Sequence, residues 1–146
     1  MSYTSSGNGF SIPWIVGQAT QTLPASLGTV TYSPIGSVVN GNVNGMLNSA
    51  SLTADFVNRK MSVDITATNT VNSNVFTMNG SSGFSATSGR FAGGFSSVSC
   101  TGGPCGSSPG GSFGGFFAGP NAEGAGVAFS DAVAGGGVSG AVAFKR

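Results

Sequence analysis

Residues 51–68 read SLTADFVNRKMSVDITAT and carry the clearest structural signal in the chain. Apolar and polar residues alternate on both sides of a short turn at residues 57–60. Successive side chains of a β-strand point to opposite faces, so this alternation is typical of a strand that buries one face. Two such arms around a short turn predict an antiparallel hairpin with one buried and one solvated face. The residues predicted to be buried are Leu52, Ala54, Phe56, Met61, Val63, Ile65 and Ala67.

The rest of the chain supplies further short segments of β-forming residues, bounded by Gly, Pro, Asn and Ser. We expect the segment that begins at Thr29 to stop at Pro34, and the segment that begins at Val75 to stop at Asn79-Gly80. With the hairpin they make about eight strands, the number at which an up-and-down barrel just fills its interior with side chains. The candidate strands are 29–33, 47–56, 61–68, 75–79, 90–99, 112–118, 125–130 and 137–145, with an extra strand at 10–17.

The predicted fold is therefore all-β: an eight-stranded antiparallel up-and-down β-barrel with a hydrophobic interior and an extra N-terminal strand or arm. A chain of 146 residues suits one domain of this kind. We assign residues 1–26 to a flexible lead-in that includes the extra strand, and residues 27–146 to the β-barrel domain.

Aromatic residues in the second half of the chain are separated by glycine and other small residues, as in the sequence FAGGF at residues 91–95. A strand of this kind lets a ring lie over a neighbouring glycine and lets the sheet bend sharply, as closure of a small barrel requires. The alternative interpretation is a low-complexity Gly/Ser/Phe tract that stays disordered or aggregates.

Composition excludes several classes of function. Only 6% of the residues are charged, the net charge is +1, and histidine is absent. Nucleic acids and anionic membranes are bound by clustered Lys and Arg, so we expect neither as a partner. Without histidine the chain lacks the usual general base, the commonest metal ligand and a classical catalytic triad. We therefore expect a protein that is not an enzyme and that holds no cofactor and no metal.

The chain carries no signal for crossing or entering a membrane. No apolar run approaches the roughly 20 residues of a transmembrane helix, and residues 1–20 lack the charged-then-apolar layout of a signal peptide. The solvated face of the hairpin is made of Ser, Asp and Thr, whereas a membrane-spanning barrel needs an apolar outer band. We expect a protein that does not span the membrane and whose native signal or anchor lies upstream of this chain.

The two cysteines, Cys100 and Cys105, stand in the sequence CTGGPC. They are too few for a zinc site, and no histidine is present to complete one. The spacing favours a disulfide that closes a small loop at a hairpin tip, with free thiols as the alternative. Such a bridge implies an oxidising compartment and contributes on the order of 2 kcal/mol.

Three residues are candidates for contact with a partner. Arg59 and Lys60 lie at the predicted hairpin tip, where they either contact a partner or keep a strand edge soluble. Trp14, the single tryptophan, either covers one end of the core or stacks on a ligand. Asp55 and Asp64 lie on opposite arms of the hairpin, but their solvent-facing positions favour solvated surface over a pair of catalytic carboxylates.

The C-terminal third contains a motif that resembles a known family. Residues 111–129 read GSFGGFFAGPNAEGAGVAF. The motif resembles a signature of the C-terminal β-barrel shared by transferrin-binding protein B and related Gram-negative surface lipoproteins, a module also similar to barrels appended to FecR-domain proteins. The preceding hairpins also look similar, so the resemblance covers most of residues 27–146. The matching signature positions are Phe113, Gly115, Phe117, Gly119, Pro120, Ala122, Glu123, Gly126 and Phe129.

The resemblance implies two barrel strands joined by the turn at residues 119–123, with Glu123 anchoring that turn through backbone N–H groups. It implies a non-enzymatic barrel that binds or displays at the Gram-negative surface or in the periplasm, with an unidentified protein partner held by loops. The long charged loops of the transferrin-binding members are absent here, so the resemblance does not imply transferrin binding. Two alternatives stay open: a carrier of a small apolar, haem-like ligand, and a self-assembling fibre subunit.

Overall fold

A computed structural model describes residues 3–4, 11–12, 15–40, 44–103, 105–106, 110–132 and 136–146. These parts of the chain form ten β-strands and one 3-10 helix, η1. The elements are β1 (Tyr3–Thr4), β2 (Ser11–Ile12), η1 (Ala25–Leu27), β3 (Thr29–Val39), β4 (Gly45–Asp55), β5 (Lys60–Asn69), β6 (Asn74–Gly83), β7 (Arg90–Thr101), β8 (Gly111–Ala118), β9 (Gly124–Asp131) and β10 (Val138–Lys145).

Strands β3 to β10 form a closed barrel in the order β10-β3-β4-β5-β6-β7-β8-β9, and each neighbouring pair is antiparallel. The predicted eight-stranded up-and-down barrel is therefore confirmed. The hairpin at residues 51–68 is confirmed as well, because Ser51 of β4 pairs with Asp64 of β5 and all seven residues predicted to be buried are at most 2% exposed. The two-stranded sheet of β1 and β2 lies outside the barrel order. Of the extra strand predicted at residues 10–17, the structure shows only β2, and the described residues 15–17 are not in a strand.

The expectation that the first barrel strand stops at Pro34 is wrong, because β3 continues to Val39. Strand β3 changes partner at this point: it pairs with β4 only from Thr29 to Tyr32 and with β10 from Ser33 onward. The register with β10 also shifts here, which leaves Ile35 as an extra residue. A proline has no backbone N–H to donate to a neighbouring strand. Pro34 is tolerated within β3 because it lies at a bulge and has no pairing partner in β4.

The expectation that a strand stops at Asn79-Gly80 is also wrong, because β6 continues to Gly83. The register between β6 and β7 shifts between Asn79 and Gly80, which pair with Ser97 and Phe95. A bulge of this kind bends a strand without ending it.

Aromatic rings lie against glycines inside the barrel, as the Phe/Gly pattern predicted. A Cβ atom on Gly80 would lie 2.5 Å from Cε1 of Phe113, and one on Gly93 would lie 3.0 Å from Cζ of the same ring. On the far side of β9, a Cβ on Gly140 would lie 2.5 Å from Cζ of Phe129. The glycines therefore make room for large side chains in the barrel interior.

The segment at residues 15–28 runs along one end of the barrel before β3 begins. The backbone N–H of Thr20 donates to the carbonyl oxygen of Phe117 (2.8 Å), and the Thr20 hydroxyl donates to the carbonyl oxygen of Gly119 (2.6 Å). Leu23 is 8% exposed and belongs to the hydrophobic core. The part of this segment that contains Thr20 and Leu23 therefore helps to close this end of the barrel.

Tyr32 ties the core to the turn between β8 and β9. Its side chain is fully buried, and its hydroxyl donates a 2.7 Å hydrogen bond to the carbonyl oxygen of Ala122. Burial raises the pKa of Tyr32 to about 12, although the nearby Arg146 lowers it and Glu123 raises it further. The neutral phenol is thus the form that this site stabilises.

Replacing Tyr32 with phenylalanine is expected to lower the free energy of unfolding at neutral pH by about 1–3 kcal/mol, because the Ala122 carbonyl loses its partner. The folded pKa lies above the unfolded value of about 10, so this stabilisation is complete below pH 10 and is lost as the pH rises towards 12. Urea unfolding of both proteins between pH 7 and pH 12 measures the difference. The difference in free energy of unfolding between the two proteins should become smaller above pH 10. A difference that stays constant from pH 7 to pH 12 would contradict the prediction.

Candidate binding surfaces

All the basic residues of the chain lie at one end of the barrel. Neighbouring strands run in opposite directions, so the start of β5, the start of β7 and the end of β10 reach the same end. The side chains are exposed there, and we call this region the basic end. Its residues are Arg59, Lys60, Arg90, Lys145 and Arg146.

Two carboxylates lie at the basic end, and each is bound within its own turn. Asp55 Oδ1 accepts hydrogen bonds from the backbone N–H groups of Asn58 (2.9 Å) and Val57 (3.0 Å). The bonds from the Asn58 backbone and then from its side chain lower the pKa of Asp55 most. Lys60 is the cross-strand neighbour of Asp55.

Glu123 holds the turn between β8 and β9 in the way that the sequence resemblance implied. Its Oε2 accepts the backbone N–H of Asn121, and its Oε1 accepts the Asn121 side-chain amide, each at 3.1 Å. Backbone hydrogen bonds from Glu123 itself and from Asn121 are the main causes that lower the pKa of this carboxyl, and Arg146 adds to them. The chain's other carboxylates lie elsewhere: Asp64 is in mid-strand and Asp131 is at the opposite end. Positive charge is therefore in excess at the basic end.

A groove of about 950 Å³ runs along the outer wall of the barrel at the basic end. Val16 and Gly17 line it on one side, and the β6–β7 turn and Arg90 line it on the other. Its remaining wall is formed by β7 and β8, mostly by small residues and Phe116. The complete lining is Ile15, Val16, Gly17, Gly83, Phe84, Ser85, Ser88, Arg90, Phe91, Ala92, Gly114, Gly115, Phe116 and Ala128.

The opposite end is closed by polar side chains and carries the disulfide. The Asn69 side-chain amide donates to the carbonyl oxygen of Gly137 (2.9 Å), and that of Asn72 donates to the carbonyl oxygen of Gly136 (3.4 Å). Cys100, in β7, is joined to Cys105 in the following connection by a disulfide. This end therefore differs from the basic end in both charge and construction.

The structure separates the site residues predicted from sequence. Arg59 and Lys60 lie in the basic end, whereas Trp14 falls outside the described residues. The two aspartates of the hairpin do not form a carboxylate pair, since Asp55 is bound in its turn and Asp64 accepts a hydrogen bond from Asn79.

Most positions of the sequence signature lie in the barrel interior or in the turn between β8 and β9, whereas Gly126 faces the outer wall and is covered there by Ile15. Buried members are Phe113, Phe117, Ala122, Gly126 and Phe129; partly exposed or exposed members are Gly115, Gly119, Pro120 and Glu123.

Sequence reasoning missed the basic end and the groove. Arg90, Lys145 and Arg146 are far apart in the sequence from the pair at residues 59–60, so no local cluster signals them. The predicted strand order could have revealed the basic end, because neighbouring strands of an up-and-down barrel run in opposite directions. Every second connection between strands therefore lies at the same end of the barrel.

No group of three or more Cys, Asp and Glu side chains within the described ranges is arranged to hold a metal ion. In the same parts of the chain, no helix has the length and apolar character needed to span a membrane.

The fold matches solved structures of a transferrin-binding protein. A structure of intact Ap-TbpB with its N and C lobes superimposes with a TM-score of 0.57 at 19% sequence identity, covering 87% of this chain and 28% of that chain. A Trp-176-Ala mutant of Transferrin Binding Protein B (TbpB) from Haemophilus parasuis Hp5 gives a TM-score of 0.53 at 18% identity, covering 88% of this chain and 28% of that chain. The chain thus has the fold of a TbpB-like barrel domain and spans about 28% of the length of these proteins.

No protein-family model and no curated protein matches the sequence. The likeness to solved structures therefore concerns the fold alone.

Proposed function

We propose that this protein is a non-enzymatic, extracytoplasmic binding module whose basic end holds an acidic surface of a protein partner. The observation that carries the proposal is the convergence of all basic side chains at one end of the barrel. Charged groups gathered on one surface attract a partner of opposite charge and set the orientation in which it docks. The disulfide and the TbpB-like fold are consistent with a location outside the cytoplasm.

Local charge balance favours this end over the rest of the surface. The two carboxylates of the basic end are hydrogen-bonded within their turns, and Lys60 and Arg146 lie close to them. Within the described residues, the side chains of Arg59, Arg90 and Lys145 make no ion pair and no hydrogen bond. These three charges are available to a partner without first breaking a contact within the barrel.

Neutralising part of the basic end is expected to weaken partner capture about tenfold, since each exposed ion pair contributes up to about 1 kcal/mol. The variant replaces Arg59, Arg90 and Lys145, the three basic residues without a neighbouring carboxylate among the described residues, with glutamine. Capture is measured from outer-membrane extracts and from host fluids, at low and high salt, and bound proteins are identified by mass spectrometry. High salt should weaken capture by the natural sequence more than capture by the variant.

Val71→Ser supplies the control, because Val71 is 72% exposed in the β5–β6 turn at the opposite end. This variant should capture the same partner as the natural sequence. Capture that survives the triple substitution but is lost in Val71→Ser would move the binding surface to the opposite end. Capture that is indifferent to salt and to all the substitutions would refute an electrostatic basis.

A further inference from the structure

We infer that the groove beside Arg90 binds an extended peptide segment that carries a carboxylate next to an apolar side chain. This inference rests on the proposed function, because the groove lies within the basic end, and it adds the chemical nature of the partner segment. Charge, shape and the character of the lining each support it.

The positive charge of Arg90, the charged residue in the lining of the groove, favours an anionic ligand. The Arg90 side chain is exposed and makes no hydrogen bond or ion pair with the described residues. The chain offers few candidates to neutralise it: its only acidic residues are Asp55, Asp64, Glu123 and Asp131, and none precedes residue 55. Asp55 and Glu123 are bound in their own turns, and Asp64 is held by Asn79. A guanidinium with no internal counter-ion is a strong recognition group for a carboxylate from outside the chain.

The shape of the groove suits an extended chain. It is an open trough on the outer wall, whereas sites for small molecules enclose most of the ligand surface. The walls contain Gly17, Gly83 and Gly114, which have no side chains to keep a peptide backbone away. A Cβ on Gly114 would make only ordinary contacts, at 3.7 Å or more, so no neighbouring group of the barrel crowds this residue.

The lining offers both kinds of contact that such a segment needs. Val16 is 70% exposed and Phe116 is partly exposed, so an apolar side chain of the ligand finds apolar surface on two walls. The Ser88 side chain makes no hydrogen bond within the described parts of the chain, and its hydroxyl is a second donor near Arg90. A ligand carboxylate between Ser88 and Arg90 would accept hydrogen bonds from both side chains. The adjacent apolar residue of the ligand would then pack against Val16 or Phe116.

The test is an NMR titration of the ¹⁵N-labelled full chain with two blocked peptides, GVDVG and its uncharged counterpart GVNVG. Laurate serves as a third probe, a carboxylate carried by a small amphiphile. We expect GVDVG to shift the backbone amides of Gly83, Arg90 and Gly114 in a saturable way. GVNVG should bind about fivefold more weakly, the loss expected for one exposed ion pair.

Two substitutions locate the effect. Arg90→Gln is expected to weaken GVDVG binding about fivefold and to remove its advantage over GVNVG. Arg59→Gln removes the same charge from the same end but outside the groove. An equal loss in both variants would overturn the groove assignment, because it would indicate a general effect of positive charge.

The remaining outcomes are also decisive. Saturable binding of laurate in the groove, without binding of GVDVG, would overturn the peptide as the ligand class. Equal shifts with GVDVG and GVNVG would overturn the role of the carboxylate. If peptide binding fails while partner capture still depends on the basic end and on salt, the groove inference fails and the proposed function stands. If capture loses that dependence while GVDVG still binds, the proposed function fails instead.

Discussion

Replacing Gly115 with alanine is expected to lower the free energy of unfolding by about 3 kcal/mol or more, a large fraction of the stability of an ordinary domain. A Cβ atom at this position would collide with the backbone carbonyl oxygen of Gly126 on β9 and would lie 2.8 Å from the ring of Phe91. The carbonyl belongs to the ladder between β8 and β9, so no side-chain rotation relieves the collision. The two strands must move apart, and the ladder weakens.

Gly114→Ala is the matched control, one residue away in the same strand. A Cβ on Gly114 would have the carbonyl oxygen of Phe91 as its nearest neighbour, at 3.7 Å, which is ordinary contact. This variant should unfold within about 0.5 kcal/mol of the natural sequence, as surface substitutions usually do. Urea unfolding followed by circular dichroism gives both values, and similar losses in the two variants would show that close approach at Gly115 is not the cause.

Truncating Phe117 to alanine is expected to lower the free energy of unfolding by about 3–5 kcal/mol. Its ring lies at the centre of the aromatic cluster at the basic end and is fully buried. The ring centroid is 5.0–5.2 Å from those of Phe56, Phe84 and Phe91, and 5.8 Å from that of Tyr32. Loss of this ring removes buried apolar area and leaves a cavity beside four other rings.

Two further variants show whether the loss of stability in Phe117→Ala comes from the cavity and from the position of this ring in the cluster. Phe117→Leu keeps most of the volume and should retain most of the stability, which distinguishes a cavity from a specific need for the ring. Phe116→Ala removes the neighbouring ring, which is only partly buried on the outer wall, and should cost less than Phe117→Ala. If Phe116→Ala costs as much as Phe117→Ala, the aromatic cluster is not the main support of this end.

The barrel was predictable where the two-residue period is strict. The hairpin at residues 51–68 alternates without a break, because β4 and β5 each have one face in the core and one in water. Phenylalanines next to glycines in β7 and β8 were also informative, since a residue without a side chain in a core strand signals a large neighbour.

Proline and Asn-Gly were misleading because their meaning depends on tertiary pairing. Pro34 usually ends a strand, but β3 changes partner there and does not need its N–H towards β4. Asn79-Gly80 usually marks a turn, but here it marks a bulge, and Gly80 makes room for Phe113. Local sequence does not show which strand lies beside a given residue. Such residues therefore indicate that the regular strand is interrupted, but not whether the strand ends, forms a bulge or changes its partner.

The candidate site was the least predictable part. Arg59 and Lys60 were recognisable because they are adjacent at a hairpin tip. Arg90 is a single basic residue in a Gly/Ser-rich stretch, and its role arises only from the wall of β8 and the segment at residues 15–17 beside it. A groove assembled from four separate segments, at residues 15–17, 83–92, 114–116 and 128, leaves no pattern in any one of them.

Closure of the barrel also has a kinetic consequence. Every pairing in the barrel joins strands that follow each other in the sequence, except that of β10 with β3, where Gly140 meets Val39. Hairpins close short loops quickly, whereas this last contact must bring together segments about a hundred residues apart and carries the larger entropic cost. Until it forms, β3 and β10 are open edges, and Lys145 is their only charged residue. During refolding, intermolecular pairing therefore competes with closure, and the yield of native protein should fall as the protein concentration rises.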